Sequence, residues 1–229
     1  MRKQGGSESA RNVLDPTLPI DLSARQQRQR IVDAMIASVA EKTYSGTTIS
    51  DIVRRAAVSR TTFYKRFGDK RSCFDAALQH SVETLWAAAS AAIERGDSAP
   101  QAIHKAIAAT LDLLAAEPGL AHLVMGEAVN VEPSAFGRYR NELVPQVQAL
   151  WESNGGERGE LRSDPQLAFG RAQVLIFNKI SAGQTAELPQ LLPEIVYLVL
   201  LPFGGHDVAV RQSRLAERRD LGAPGNVAA

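Results

Sequence analysis

A short segment in the first third of the chain combines side chains that could read a nucleic acid. Arg60, Thr61 and Thr62 stand together at the start of a short predicted helix, where they can donate hydrogen bonds to base edges and phosphates. Tyr64 and Lys65 follow within the next turn. A pair of packed amphipathic helices with a solvated basic face has the same pattern, so these residues alone leave both interpretations open.

Two short helices joined by a tight turn must position these side chains. Thr48 is a predicted N-cap with Asp51 at the third helical position, a capping-box-like pair that begins the first of the two helices. Ser59 is the predicted cap of the second helix, which runs to about Phe67 and places Phe63 and Phe67 on one buried face. Two helices joined in this way can form a helix-turn-helix, whose second helix enters the major groove of DNA.

Residues 25–78 resemble the N-terminal domain of the TetR family of transcriptional regulators. The segments 47–52 and 57–70 carry this resemblance. A weaker resemblance lies at 159–165, which is similar to the loop before the last two helices of many such proteins. The sequence departs from the family at Ala57, where glycine is common, and a positive φ at this position would strain the alanine.

The resemblance implies an all-α protein in which a three-helix, helix-turn-helix DNA-binding domain precedes a larger helical bundle for ligand binding and dimerisation. It also implies contacts with double-stranded DNA for Thr48, Ser59, Arg60, Thr61, Thr62, Tyr64, Lys65 and Lys70. Residues 59–62 would face the major groove, and the others would hold phosphates. Free N–H groups and the positive dipole end at helix N-termini favour such phosphate contacts.

The rest of the chain shows helical periodicity and few alternating segments, which independently predicts an all-α fold. The predicted organisation is a flexible N-terminal arm at 1–22, the helix-turn-helix domain at 23–70, an effector-binding and dimerisation bundle at 71–204, and a polar, frayed tail at 205–229. Asp69 is expected to cap a fourth helix that reaches about Arg95, and Pro145 to kink or split a later helix. Further helices are predicted at 100–116, 119–130, 133–153, 165–182 and 188–203.

Charge is divided unevenly along the chain. Residues 1–80 hold 14 Lys and Arg against 8 Asp and Glu, a net charge of +6, whereas residues 81–229 hold 12 against 17, a net charge of −5. A polyanion is therefore expected to bind the N-terminal third. Arg2, Lys3 and Arg11 of the arm could also reach a minor groove, with a disordered leader as the alternative.

Composition and spacing argue against several other classes of protein. The longest apolar run, Ile195 to Phe203, has nine residues against about 20 for a membrane span, and no apolar stretch follows the N-terminal charges. The single cysteine and the 4 scattered histidines lack metal-binding spacing. We therefore predict a cytoplasmic protein that is not an enzyme and has no metal, cofactor or membrane partner. Cys73, in the first turn of a helix, leaves a redox sensor open, with a buried small residue as the alternative.

The last two predicted helices are apolar on most of their surface, which favours burial against a second copy of the chain. In TetR-type proteins these helices form a four-helix bundle across a two-fold axis, so the resemblance implies a homodimer. Ordinary core helices are the alternative. The predicted interface residues are Val174, Phe177, Ile195, Leu198 and Val199.

The middle helices are expected to enclose an effector pocket, as the resemblance implies. Its candidate side chains are Trp86, His104, His122, Met125, Phe136, Tyr139 and Trp151, each of which could instead be plain core. The mixture of methionine and aromatic residues favours a small apolar or aromatic effector. Binding would change the spacing of two DNA-reading heads, with the fourth helix as the lever between pocket and DNA.

These observations favour a sequence-specific DNA-binding transcriptional regulator. The specific hypothesis is a homodimeric repressor that a small-molecule effector releases from a palindromic operator. An activator or an effector-independent regulator is one alternative, and a helical ligand-binding or scaffold protein with a decayed DNA motif is another. The uninterrupted match from Ser59 to Lys70 argues against decay.

Overall fold

The computed structural model is almost entirely helical in the part of the chain that it describes. This part comprises the backbone of residues 20–131, 133–157 and 163–222 and the side chains of residues 23–128, 131, 143–157 and 163–218. No strand occurs among these residues, which confirms the all-α class. The predicted arm residues Arg2, Lys3 and Arg11, most of the 159–165 loop, and the side chains of Phe136 and Tyr139 lie outside it.

The helices follow one another with short connections. In chain order they are α1 (Ile20–Gly46), α2 (Ile49–Arg55), α3 (Arg60–Arg66), α4 (Lys70–Ala91), α5 (Ala99–Ala116), α6 (Pro118–Ala121), a π-helical segment (His122–Glu127), α7 (Ala128–Val131), α8 (Pro133–Ser153), α9 (Pro165–Ser181), a 3₁₀ segment (Thr185–Leu191) and α10 (Leu192–Gly222). Short α2 and α3 near the N-terminus, followed by a larger bundle, match the predicted order.

Side chains of α1 to α4 enclose a first hydrophobic core, here called the head core. α2 and α3 have seven residues each, too few to be stable as isolated helices. Each is anchored by one fully buried side chain, Ile52 in α2 and Phe63 in α3. Burying a side chain of this size stabilises the fold by about 1.5–3 kcal/mol. The other buried members of the head core include Ile31, Val32, Met35, Phe67, Cys73 and Phe74.

A second core lies among α5, α8, α9, α10 and the end of α4, and is here called the bundle core. Its fully buried side chains include Leu111 and Leu114 of α5 and Val196 and Leu200 of α10. These pairs stand three or four residues apart, so each pair lies on one face of its helix. The helical periodicity of the sequence therefore corresponds to the inward faces of the bundle.

Two elements connect the cores. α4 contributes Phe74 to the head core and Leu85 to the bundle core. The π-helical segment does the same over two consecutive residues, because Leu123 belongs to the head core and Val124 to the bundle core. A displacement of either element would therefore change the packing of both cores.

Two predicted features of the middle of the chain differ from the structure. α4 ends at Ala91 rather than near Arg95, because the chain turns there and the Glu94 N–H donates to the Asp97 carboxylate at 2.7 Å. Pro145 lies inside α8, which is one helix from Pro133 to Ser153, so the predicted split is absent and the predicted kink stays a prediction.

The predicted polar tail at 205–229 is also corrected over residues 205–222, and its remaining residues lie outside the described part of the chain. α10 departs from helical geometry at Gly205 (φ 73°, ψ −178°) and then continues to Gly222. Ala209 and Ala216 are buried in the bundle core, whereas Arg211, Arg214 and Arg218 are exposed. The segment is amphipathic, and its small apolar residues hold it on the bundle where the polar composition predicted fraying.

The segment Thr185–Arg218 is long and apolar enough to cross a membrane by length and composition. The core helix of a soluble protein meets the same criteria. Here the fully buried side chains of Val196 and Leu200 pack inside the bundle core.

Candidate nucleic-acid interface and ligand cavity

The N-terminus of α2 is held by the predicted pair of Thr48 and Asp51. The Asp51 N–H donates to the Thr48 hydroxyl at 3.2 Å, and the Thr48 N–H donates to the Asp51 carboxylate at 3.1 Å, which confirms a capping box. Lys42 of α1 donates to the same carboxylate at 2.7 Å. The hydrogen bond from Lys42, followed by those from Thr48, holds the pKa of Asp51 well below its ordinary value. The charged Asp51 therefore ties α2 to α1.

The turn between α2 and α3 places Ala57 in the left-handed region, with φ 52°. The Ala57 N–H donates to the Arg54 carbonyl at 3.3 Å and the Val58 N–H to the Val53 carbonyl at 3.1 Å. These two bonds form a Schellman motif, in which the left-handed residue is usually glycine. The departure noted in the sequence thus falls on the position where alanine is strained, and the turn is formed nonetheless.

α3 begins at the predicted cap. The Thr62 N–H donates to the Ser59 hydroxyl oxygen at 3.0 Å, and the two hydroxyl oxygens lie 2.9 Å apart. Phe63 turns into the head core, where its ring centre lies 5.9 Å from that of Phe67. The Tyr64 side chain projects outward and is 53% exposed.

The outward face of α3 carries four of the eight predicted DNA-contacting side chains. Arg60, Thr61, Tyr64 and Lys65 are exposed on it. The Arg60 guanidinium donates to the Ser50 hydroxyl at 3.3 Å, so it bridges the start of α3 to α2. A rigid helix held by a cap at one end and a buried phenylalanine at its centre can present these groups to a groove as one surface.

Lys70, at the start of α4, has a role that the sequence did not indicate. Its ammonium group donates to the carbonyls of Tyr44 and Thr47, each at 2.9 Å, and lies 4.2 Å from the centre of the Tyr44 ring. An ammonium group has three hydrogens, so one is left for the predicted phosphate contact. Lys70 thereby joins the end of α1 to the start of α4.

An apolar cavity of about 160 Å³ lies in the bundle. Its lining comes from α4, α5, the π-helical segment, α8, α9 and α10. Among the described residues, no charged side chain lines it. Its polar side chains are Trp86, Thr110 and Gln173, and the Thr110 hydroxyl donates to the Ala106 carbonyl at 2.8 Å. The apolar lining includes Leu85, Ile103, Met125, Val147, Phe169 and Ile176.

Two of the predicted effector residues, Trp86 and Met125, line this cavity. Three others do not. His104 borders a separate surface groove between α5 and the end of α10, and His122 stands at the start of the π-helical segment. Trp151 is buried in the bundle core, where its indole N–H donates to the Glu157 carbonyl at 3.1 Å.

Gln173 is a polar cavity residue that was not predicted from the sequence. It stands on α9 between Ala172 and Ile176, which face the same cavity. A polar residue within an apolar helical face is the signal that could have identified it. Most other lining residues are ordinary aliphatic core side chains in the sequence, and periodicity cannot show which of them border empty space.

The predicted dimer residues fall into two groups. Val174 and Phe177 of α9 are 56% and 40% exposed, and Leu167 on the same helix is 59% exposed. Leu198 of α10 is half-buried and borders a shallow groove with Val174. Large exposed apolar side chains concentrated on one helix are typical of a protein–protein contact.

Ile195 and Val199 do not belong to this exposed face, which corrects the prediction. They are 4% and 5% exposed and line the cavity inside the bundle. Four residues span about one helical turn, so the two side chains point in the same inward direction while Leu198 lies on the flank. Their apolar character reflects core packing.

Cys73 is fully buried in the head core. Burial raises the pKa of its thiol to about 12, so the reactive thiolate is suppressed, and the buried interpretation is the one that the structure supports. Across the described side chains, no three of His, Cys, Asp and Glu converge on a point that could hold a metal ion.

Comparison of the sequence with known proteins identifies relatives of the head. Residues 31–77 match the family described as bacterial regulatory proteins, tetR family. The HTH-type transcriptional regulator BetI of Burkholderia thailandensis is 32% identical over 83 residues, which are 36% of this chain and 43% of that protein. BetI of Paraburkholderia phymatum is 30% identical over 83 residues, 36% of this chain and 42% of that protein. The chain thus spans less than half the length of these relatives.

Solved structures resemble most of the fold. The fatty acid degradation regulator FadR from Bacillus halodurans has a TM-score of 0.63 at 20% identity, over 78% of this chain and 95% of that one. FadR from Bacillus subtilis in complex with stearoyl-CoA gives 0.61 at 20% identity, over 77% and 98%. The tetR regulator TylP from Streptomyces fradiae gives 0.61 at 19% identity, over 86% and 98%. At such identities the likeness establishes the fold, including the bundle beyond residue 77.

Proposed function

We propose that the chain is a regulator of the TetR type, whose family model its residues 31–77 match, and that it acts as a homodimeric repressor. In this proposal each α3 enters the major groove of a palindromic operator, and a small uncharged effector in the bundle cavity releases the DNA. The observation that carries the proposal is the outward face of α3, which is held at its start by Ser59 and anchored at its centre by Phe63.

The electrostatics of the head support DNA as the partner. Residues 1–80 carry a net charge of +6 and the remaining chain carries −5, so a duplex is attracted to one end of the molecule. Arg60, Thr61, Tyr64 and Lys65 supply donors for base edges and phosphates on a single exposed face. Lys70 is proposed as a phosphate contact through its remaining N–H in addition to its structural bonds.

A homodimer follows from the demands of selectivity and from the exposed face of α9. A single helix-turn-helix contacts few base pairs, whereas two symmetric heads read two half-sites of a palindrome. Leu167, Val174 and Phe177 expose apolar surface that a second copy would cover. A two-fold contact buries the same patch on both chains, which suits a self-complementary apolar stripe.

The cavity lining supports a small neutral effector. A charged ligand buried without a partner would carry a large desolvation cost, and no charged side chain lines this cavity among the described residues. By contrast, stearoyl-CoA, with which FadR from Bacillus subtilis was solved, is a long anionic molecule. A volume of about 160 Å³ and an apolar wall suit a compact aromatic or aliphatic molecule with one polar group for Gln173.

Selection of bound sites from a random duplex library tests the proposal. The wild type is expected to enrich a palindrome, and Tyr64→Ala, Lys65→Ala is expected to lose that enrichment because both groups lie on the outward face of α3. The matched control is Arg218→Ala, which removes an exposed cation on α10 and is expected to leave the enriched motif unchanged. Salt-sensitive binding without any motif would overturn sequence-specific recognition and leave a generic polyanion surface.

A further inference from the structure

The end of α1 contains a strained joint at Thr43. Its φ of 64° and ψ of 167° lie in a region that is essentially restricted to glycine. The Thr47 N–H and hydroxyl both donate to the Thr43 carbonyl, at 3.1 Å and 2.7 Å. Such strain persists where surrounding contacts over-determine the backbone, and it is concentrated at functional and switching segments.

The next residue, Tyr44, is held from two directions. Its N–H donates to the Glu127 carboxylate of the π-helical segment at 2.7 Å. Its carbonyl accepts from Lys70 of α4 at 2.9 Å, and its ring packs edge-on against Phe74 with centres 4.8 Å apart. The bond to Glu127 therefore connects the bundle to the strained joint at Thr43 and Tyr44. Lys70 connects the same joint to α4, and Thr47 connects it to the start of α2.

The π-helical segment connects this joint to the cavity. Met125 lines the cavity, and Glu127 stands two residues further along the same segment. Leu123 packs into the head core and Val124 into the bundle core. A π-helical segment accommodates an extra residue in a helix and is frequent at functional sites. The segment thus contacts the cavity, both cores and the strained joint within six residues.

We propose that Glu127 is the positioning residue through which occupancy of the cavity reaches the DNA-binding head. A molecule against Met125 displaces the π-helical segment and with it the Glu127 carboxylate. The Tyr44 amide loses its partner, the joint at Thr43 relaxes, and the starts of α2 and α4 shift relative to α3. This inference rests on the proposed function. It adds the hydrogen bond between Glu127 and Tyr44, which lies outside α4, to the coupling between the cavity and the DNA.

A double-mutant cycle on operator affinity tests this inference without requiring the natural effector. Ala106→Leu adds side-chain volume to the cavity wall and serves as a built-in occupant. It is expected to weaken binding to the selected operator by about fivefold or more in the wild-type background. In the Glu127→Ala background the same substitution is expected to change affinity by less than about twofold, since the contact that transmits it is gone.

Two further variants separate coupling from simple stability. Glu127→Gln keeps a side-chain oxygen that accepts from Tyr44, so the effect of Ala106→Leu is expected to persist. Glu83→Ala removes an exposed carboxylate whose hydrogen bond is local to α4, with Gln79, and is expected to leave the cycle unchanged. A purely structural Glu127 would lower stability without altering the ratio between the two Ala106 forms.

Hydrogen exchange of the Tyr44 amide is a readout that does not require the Glu127→Ala variant to fold. The amide is expected to exchange faster in Ala106→Leu, and in wild type saturated with benzyl alcohol, than in wild type alone. Equal effects of Ala106→Leu in both Glu127 backgrounds, no effect in either, or unchanged Tyr44 exchange in Ala106→Leu would each overturn the inference. If the wild type selects no palindrome, the proposed repressor function itself has failed.

Discussion

The Lys70 ammonium group donates to the main-chain carbonyl of Tyr44 at 2.9 Å while lying 4.2 Å from the centre of the Tyr44 ring. The same group donates to the Thr47 carbonyl at 2.9 Å. A cation at the carbonyl end of a helix satisfies groups that have no partner within the helix and interacts favourably with the helix dipole. The first residue of α4 is therefore also the cap of α1.

Lys70→Ala is expected to lower the free energy of unfolding by about 1–3 kcal/mol, because two carbonyls lose a charged donor and Tyr44 loses its cation–π contact. Urea denaturation measures this effect. Lys65→Ala is the control, since Lys65 is exposed on α3, and is expected to weaken operator binding with little change in stability. Equal stability of Lys70→Ala and wild type would contradict the structural role of Lys70.

Ala57→Gly is expected to stabilise the protein by about 0.5–1 kcal/mol. The residue has φ 52°, where glycine is not strained, although the more flexible unfolded chain offsets part of the gain. The matched control is Ala56→Gly, whose residue is right-handed with φ −71° and buried. That substitution is expected to destabilise by about 1 kcal/mol. Destabilisation by both variants to the same extent would show that the strain at Ala57 is negligible.

The capping carboxylate predicts a dependence of stability on pH. Hydrogen bonds from Lys42 and Thr48 depress the pKa of Asp51 in the folded protein. Their stabilisation is present above the unfolded-state pKa of about 3.9 and is lost as pH falls through the lower folded-state value. The free energy of unfolding of Asp51→Asn is therefore expected to be lower than that of the wild type at neutral pH, and the difference is expected to shrink as pH decreases below about 4. A deficit that stays constant from neutral to acid pH would refute this role.

The exposed stripe on α9 predicts the oligomeric state. Val174→Arg, Phe177→Arg is expected to convert a dimer to a monomer, because two charges would be buried against their symmetry copies. Sedimentation measures the mass, and operator affinity is expected to fall with it. Leu215→Arg is the control, since Leu215 is 52% exposed on another helix. A dimer that survives in the double variant would place the interface elsewhere.

The cavity predicts a preference for neutral ligands, which benzyl alcohol, benzoate and benzylammonium can compare at equal size. Benzyl alcohol is expected to raise the melting temperature most, because a buried ion would find no charged partner. Gln173→Leu is expected to weaken the binding of benzyl alcohol and to leave the binding of toluene unchanged or make it tighter. Stronger binding of either ion than of the alcohol would disprove a neutral effector.

Local elements were predictable because short-range chemistry determines them. Thr48 with Asp51 and Ser59 with Thr62 form hydrogen bonds across three residues, and their residue types alone indicate where α2 and α3 begin. Phe63 and Phe67 were predicted to be buried from their spacing, and both are buried. The all-α class follows from the same periodicity.

Long-range placement was not predictable from those patterns. Ile195 and Leu198 are equally apolar in the sequence, yet one lines a cavity and the other borders the surface, and only the packing of α10 against α5 and α9 distinguishes them. Tyr44 and Glu127 are separated by 83 positions, and Lys70 and Tyr44 by 26. The sequence by itself determined the caps, the helical periods and the chemistry of the exposed face of α3, because these depend on neighbours within about one turn. The tertiary structure decided the cavity, the exposed stripe and the joint at Thr43, because those depend on which helix faces meet in space.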